Sequence, residues 1–282
     1  METQEYLGGA LAIARHLSDF CDDVSVLSFL GEDNEYKNFI ENNIEENINL
    51  NFLNKSKSPT IVKRRFVDNI DRKKILGVYS INDNSLSETE ENDFIESIER
   101  LSIDTDLIIV SDYGHGIITP RVAEYISKTG KFVSLNAQVN AANIGTHSIR
   151  KYNDINCLII NANELCHEMR QREGDLKALA LELKSIINAN YISVTQGKTG
   201  AFLINGSKIP VTCPGFASEV VDKIGSGDAL LALLSVCLYS NIEDDLSLFI
   251  ASLAAAQSVE SVGNSKHVSR ILLLKTISHF LK

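Results

Sequence analysis

The residues with the clearest chemical content lie in "VDKIGSGDALLALLSV", positions 221–236, where Gly225, Ser226 and Gly227 run into Asp228 and then into helix-forming apolar residues. A helix opening near Ser226 would present backbone N–H groups that have no partner within the helix, together with the positive end of its dipole. That combination attracts an anion, and glycines let the backbone approach a phosphate closely. A carboxylate in the same first turn has no attraction for the phosphate itself. Its natural partner is the proton of a neighbouring hydroxyl, as in general-base-assisted phosphoryl transfer. An ordinary helix start capped by Ser or Asp explains the same four residues, so the tetrapeptide alone leaves both readings open.

Such groups need elements to position them. Short β-branched runs, "DVSVLSF" (23–29), "DLIIVSDY" (106–113), "KFVSLNA" (131–137), "CLIIN" (157–161) and "YISVTQG" (191–197), read as buried strands. Helical patterns alternate with them. "SETEENDFIESIERLS" carries Phe94, Ile95, Ile98 and Leu101 at helical spacing behind acids, and "TPRVAEYISKTG" opens on Thr-Pro and stops at Gly. The alternation predicts an α/β fold, a doubly wound and mainly parallel sheet with helices on both faces. Residues 48–80 break the rhythm with consecutive strand patterns and turn residues, which predicts an antiparallel β lid projecting from the sheet and available for a homodimer contact. From 225 onward only helices are expected.

Composition narrows the function. With 27 Lys and Arg against 37 Asp and Glu, the formal charge is −10, which argues against a nucleic-acid backbone as partner. No apolar run reaches the roughly 20 residues of a membrane span, and the amino terminus lacks a basic region before its apolar part, so a cytoplasmic protein is expected. Five cysteines without a CxxC pair suit reduced, mostly buried thiols, and Cys166 beside His167 has no companion pair at zinc spacing.

"DKIGSGDALLA" resembles the carboxyl-terminal signature of the ribokinase/PfkB family of carbohydrate kinases, whose usual form is D-T-x-G-A-G-D. "GGALAIARHL" with "GEDNE", then "NANE" at 161–164 and "TQGKTGAFL" at 195–203, follow that family's order along essentially the whole chain. The resemblance implies an ATP- and Mg²⁺-dependent kinase in which Asp228 is the base and Gly225, Ser226 and Gly227 are the anion hole. It further implies that Asn161 and Glu164 help to place the metal, that Thr195, Gly197, Gly200 and Asp222 lie at the nucleotide, and that Gly8 and Gly9 let a sugar approach the backbone. An N-cap with a first-turn acid also explains "NANE", and a plain hairpin turn explains "TQGKTG".

"SDYGHG" at 111–116, with Asp112, and "PTIVKRR" at 59–65 resemble the heptose-phosphate kinase branch, where a sugar phosphate is the substrate. Lys63, Arg64 and Arg65 could clamp such a dianion, or could be a solvated edge whose charges discourage aggregation.

Several positions depart from the pattern. The family's first strand should precede Gly8, so a sheet lacking one strand, an open inner edge and a possible amino-terminal truncation are expected. Ala12 stands in place of a sugar-contacting Asn, His115 in place of Lys, Lys223 in place of Thr, and "SLNAQVNAAN" in place of a D-P-K-like segment. These departures leave an alternative to the kinase: a catalytically weak nucleotide-binding scaffold of the same fold.

Overall fold

A computed structural model describes residues 3–68, 74–139, 143, 145, 147–206, 209–217, 220–222 and 224–280. The chain opens with α1 (Ala10–Leu17), β1 (Val24–Gly31), the short α2 (Lys37–Glu41), β2 (Ile48–Lys55), β3 (Val62–Val67) and β4 (Lys74–Ser80). It continues through α3 (Glu88–Ser102), β5 (Leu107–Asp112), α4 (Pro120–Ser127), β6 (Phe132–Ala137), β7 (Cys157–Asn161), α5 (Ala162–Glu168) and α6 (Leu176–Ile186). β8 (Tyr191–Thr195), β9 (Ala201–Ile204) and β10 (Val211–Cys213) follow, and α7 (Ser226–Tyr239), α8 (Asp244–Ser258) and α9 (Arg270–Phe280) close it.

The main sheet has the order β10-β9-β8-β7-β6-β5, parallel from β5 to β8 and antiparallel at β9 and β10. Its middle strands are sealed on both faces, and β7 is buried at four of its five positions. One apolar layer, with Phe94, Val122, Leu158 and Leu183, packs on one side; the other, with Ile13, Ile159, Leu231 and Leu248, packs on the opposite side. Local chemistry fixes the helix starts. Ser87 and Glu90 form a capping box at α3, and Thr119 caps α4 ahead of Pro120.

One feature differs from the expected lid. Residues 48–55 do not belong to the antiparallel segment: β2 pairs in parallel with β1 across eight residues, because its alternating apolar side chains face the core beside α1 and α2. The antiparallel unit is therefore only the β3–β4 hairpin. The strand pair β1–β2 also stands apart from the main sheet, and among the described residues neither β1 nor β5 has a partner on its other edge. Leu27 and Phe29 of β1 and Ile108 and Val110 of β5 line the main cavity, onto which the unpaired edges of the two strands open as a seam. The seam corresponds to the open inner edge expected of a sheet that lacks one strand.

Candidate active site

α7 begins where the sequence places it. Gly225 is its N-cap at φ 90°, a left-handed conformation, and a side chain there would collide with Asn264. Gly227 faces open space, so the first turn stays accessible to a ligand. Asp228 sits in that turn and lines a cavity of about 2460 Å³ together with Gly8, Gly9, Lys63, Glu164, Thr195 and Gly200. Burial pushes its carboxyl up to about 6, against opposing pulls from the Tyr113 hydroxyl and the Lys63 ammonium. A carboxylate poised near neutrality can accept a proton and later release it.

The loop ahead of α7 is held by Asp222, whose Oδ1 accepts from the Ile224 N–H at 3.1 Å and whose Oδ2 accepts from the Gly263 N–H at 2.9 Å. Lys223 lies outside the described residues, as do 140–142 of the segment "SLNAQVNAAN".

Asn161 and Glu164 close a capping box at α5: Asn161 Oδ1 accepts from the Glu164 N–H at 2.9 Å, and Glu164 Oε2 accepts from the Asn161 N–H at 3.0 Å. The bland reading of "NANE" is thus realised. It does not exhaust these residues, because both also line the cavity and burial raises the Glu164 carboxyl to about 7. Among the described residues no group of three or more acids, histidines or cysteines forms a cation cage. A lone carboxylate fits Mg²⁺, which keeps most of its hydration and binds largely through substrate phosphates.

Thr195 ends β8, and Gly197 and Gly200 shape a tight turn into the antiparallel β9, so this segment is a hairpin turn as well as a cavity wall. Gly200 has φ 102° and a side chain there would strike the Cys213 carbonyl.

Gly9 is the N-cap of α1 at φ 59°, and a side chain there would touch the Tyr113 ring at 3.4 Å. Ala12 points into the core at 1% exposure and is not among the cavity residues. Strand alternation in the β3–β4 hairpin separates the basic run. Lys63 and Arg65 share a face with Tyr79, while Arg64 shares the opposite face with Phe66, Leu76 and Val78.

Asp112 lines the cavity, but its carboxylate is engaged from behind. It receives the Lys151 ammonium at 2.6 Å, the Tyr152 hydroxyl at 2.8 Å and the Gly114 N–H at 2.9 Å. This network fixes the turn that carries Tyr113. His115 is buried, pairs with Asp83 at 2.8 Å and is held below the usual histidine range, chiefly by burial.

Sequence reasoning missed Tyr113, Lys151 and Tyr152. Tyr113 lies inside the quoted "SDYGHG", yet nothing in spacing alone aims its hydroxyl at Asp228, 115 residues away, at 3.4 Å.

Comparison with known proteins gives this geometry its family. The model of the pfkB family carbohydrate kinases matches residues 2–269. The chain belongs to the pfkB carbohydrate kinase family. A bifunctional protein HldE of Campylobacter jejuni is 28% identical over 269 residues, covering 94% of this chain and 55% of that protein. A second HldE, of Koribacter versatilis, is 25% identical and covers 93% of this chain and 53% of its own length. The chain thus spans about half the length of these curated relatives. Phosphofructokinase-2 of Escherichia coli superposes with a TM-score of 0.76 at 14% identity, over 98% of this chain and 88% of that one. A putative ribokinase of Agrobacterium tumefaciens gives 0.74 at 15% identity, over 100% and 92%. These solved structures show the pfkB chain to have a ribokinase-like fold. No helix among the described residues is long and apolar enough to cross a membrane.

Proposed function

We propose that the chain transfers the γ-phosphoryl group of ATP to a hydroxyl of a sugar phosphate. The observation that carries this reading is the position of Asp228: a carboxylate in the first turn of α7, lining the same cavity as Gly9 and as Lys63 and Arg65 of the β3–β4 hairpin. Asp228 takes the proton of the acceptor hydroxyl as its oxygen bonds to phosphorus and the bond to the β-phosphate oxygen breaks, releasing ADP. The amides of Gly225, Ser226 and Gly227 stabilise charge on the transferring group. Thr195, Gly197, Gly200 and Asp222 shape the wall for the nucleotide at the carboxyl ends of the strands. Mg²⁺, when bound with the nucleotide, supplies neutralisation of phosphate charge, and Glu164 and Asn161 are the residues that would hold its water shell.

Lys63 and Arg65, on one face of the hairpin, support a phosphorylated sugar over a neutral one. The opposite face exposes Phe66, Leu76 and Val78 and suits a homodimer contact, which sedimentation at increasing protein concentration tests. All five cysteines are free thiols, in keeping with the cytoplasm. A second reading, nucleotide binding without turnover, draws on the unpaired edges of β1 and β5, which among the described residues leave that part of the cavity wall without strand-to-strand hydrogen bonds. An assay of ATP consumption over sugars and sugar phosphates separates the two: turnover of a sugar phosphate supports the kinase, and ATP binding with no acceptor consumed supports the scaffold.

A further inference from the structure

Three elements far apart in sequence meet at Tyr113. Its hydroxyl donates to Asp228 Oδ1 of α7 at 3.4 Å, and the Lys63 ammonium of β3 lies 4.5 Å from its ring centroid. Lys63 is also 5.9 Å from the ring of Tyr79 on β4, so the cation rests between an aromatic face of the hairpin and one of the core. The turn bearing Tyr113 is fixed from below, since Asn143 Nδ2 donates to the Tyr113 carbonyl at 2.9 Å and the Asp112 network holds Gly114.

We propose that Tyr113 and Lys63 form a latch joining the β3–β4 hairpin to Asp228, in which the Tyr113 ring seats the lysine while its hydroxyl holds the carboxylate. Both are positioning residues, and the inference rests on the reading of Asp228 as the base. The groups facing Asp228 are Tyr113 and Lys63. Around them, among the described residues, stand Arg65 on the same face of β3, Asp83 in the segment ahead of α3, Glu164 of α5 and His115, whose ring stacks on Tyr113 at 6.4 Å between centroids and whose charge is opposed by Lys63.

With the hairpin latched, the ammonium and the phenol both favour the ionised carboxylate against its burial. With the hairpin raised, Asp228 loses the Lys63 ammonium, the one cation among the described residues that favours its ionised form, while the Tyr113 hydroxyl stays with the core. Closure of the lid over an acceptor and readiness of the base are therefore one event. An anionic substrate recruited by Lys63 and Arg65 arrives through the group that governs the base.

The test follows the Asp228 carboxyl by carbon NMR across pH in the full chain, in the parent and in Tyr113→Phe, Tyr113→Leu and Lys63→Met. Each variant should raise the Asp228 midpoint by roughly 0.5–1 pH unit. Trypsin cleavage within the hairpin separates the two halves of the latch. Tyr113→Phe keeps the ring and should be cleaved as slowly as the parent, whereas Tyr113→Leu should be cleaved several-fold faster. If Tyr113→Leu fails to fold, Tyr113→Phe and Lys63→Met still decide by NMR. An Asp228 titration in Tyr113→Phe that superimposes on the parent overturns the latch, as does equal hairpin cleavage in the Phe and Leu variants. A parent that titrates as described yet phosphorylates no acceptor sinks the kinase reading and leaves the latch standing.

Discussion

Lys55 Nζ, at the end of β2, donates to the His115 carbonyl at 3.3 Å, just beyond the end of β5. The same ammonium donates to the Asn82 and Asn84 carbonyls at 2.7 and 2.6 Å. One buried cation thus ties the β1–β2 pair to the main sheet at the end where the cavity opens. It also shows that β2 and β5 bring their carboxyl ends to the same place. Lys55→Met would leave three carbonyls without this donor, at a cost of about 1–3 kcal/mol. Denaturant titration should show a lowered midpoint, and an unchanged midpoint means that water replaces the ammonium at no penalty.

The open seam makes the two flanking strands the weak side of the sheet. Amides of β1 and β5 should exchange with deuterium faster than those of β7, which is paired on both sides. Equal protection along all three strands would show the seam to be closed in solution.

Glu164→Gln separates capping from charge. Gln preserves a capping box, so α5 should stay intact. The native carboxyl titrates at about 7 instead of 4.5, so its neutral form is favoured by folding. That stability is fully present below about pH 4.5 and is lost as pH rises through about 7. The variant should therefore decline less than the parent between pH 5 and pH 8 in thermal melts. It should also bind Mg²⁺–ATP more weakly by calorimetry, and parental affinity removes Glu164 from the metal site.

Replacing Lys63 and Arg65 together with Ala should raise KM for a phosphorylated acceptor at least about tenfold while leaving KM for its unphosphorylated analogue nearly unchanged, with kcat falling alike for both through the lost latch, because only the dianion meets both cations. An equal rise in KM for the two acceptors means that the hairpin cations do not read the phosphate.

Much of this organisation was legible in the sequence, and the limits have physical causes. Gly225 to Asp228 stand out because two glycines and a serine beside a single acid at a helix start fit the proposed anion hole and base. Strands β5 to β8 were legible because parallel strands covered on both faces must be continuously apolar. β2 reads in the sequence as part of the lid because strand periodicity does not state the partner, and its pairing with β1 depends on a helix placed between them in sequence. Asp112 stood out as a polar residue at a strand end, but its engagement by Lys151 and Tyr152 follows from tertiary approach alone. The same holds for Tyr113 and Lys63, whose positions over Asp228 depend on the hairpin folding back.

The measurement closest to the centre is phosphoryl transfer by Asp228→Asn beside the parent, on a sugar phosphate that the parent consumes. Asn retains the size of Asp, and α7 is capped at Gly225 without a side-chain bond from Asp228, so α7 should be undisturbed and ATP affinity nearly unaltered. Its effect on stability has a sign: the native carboxyl is raised from 3.8 to about 6, so the burial penalty of its charge appears as pH rises through 6, and the variant should gain stability at pH 8 but not at pH 4. Turnover should fall by about 10²- to 10⁴-fold, the usual contribution of a general base. Parental turnover in Asp228→Asn, with the acceptor and nucleotide saturating, would show that the carboxylate takes no proton and that the catalytic assignment is wrong.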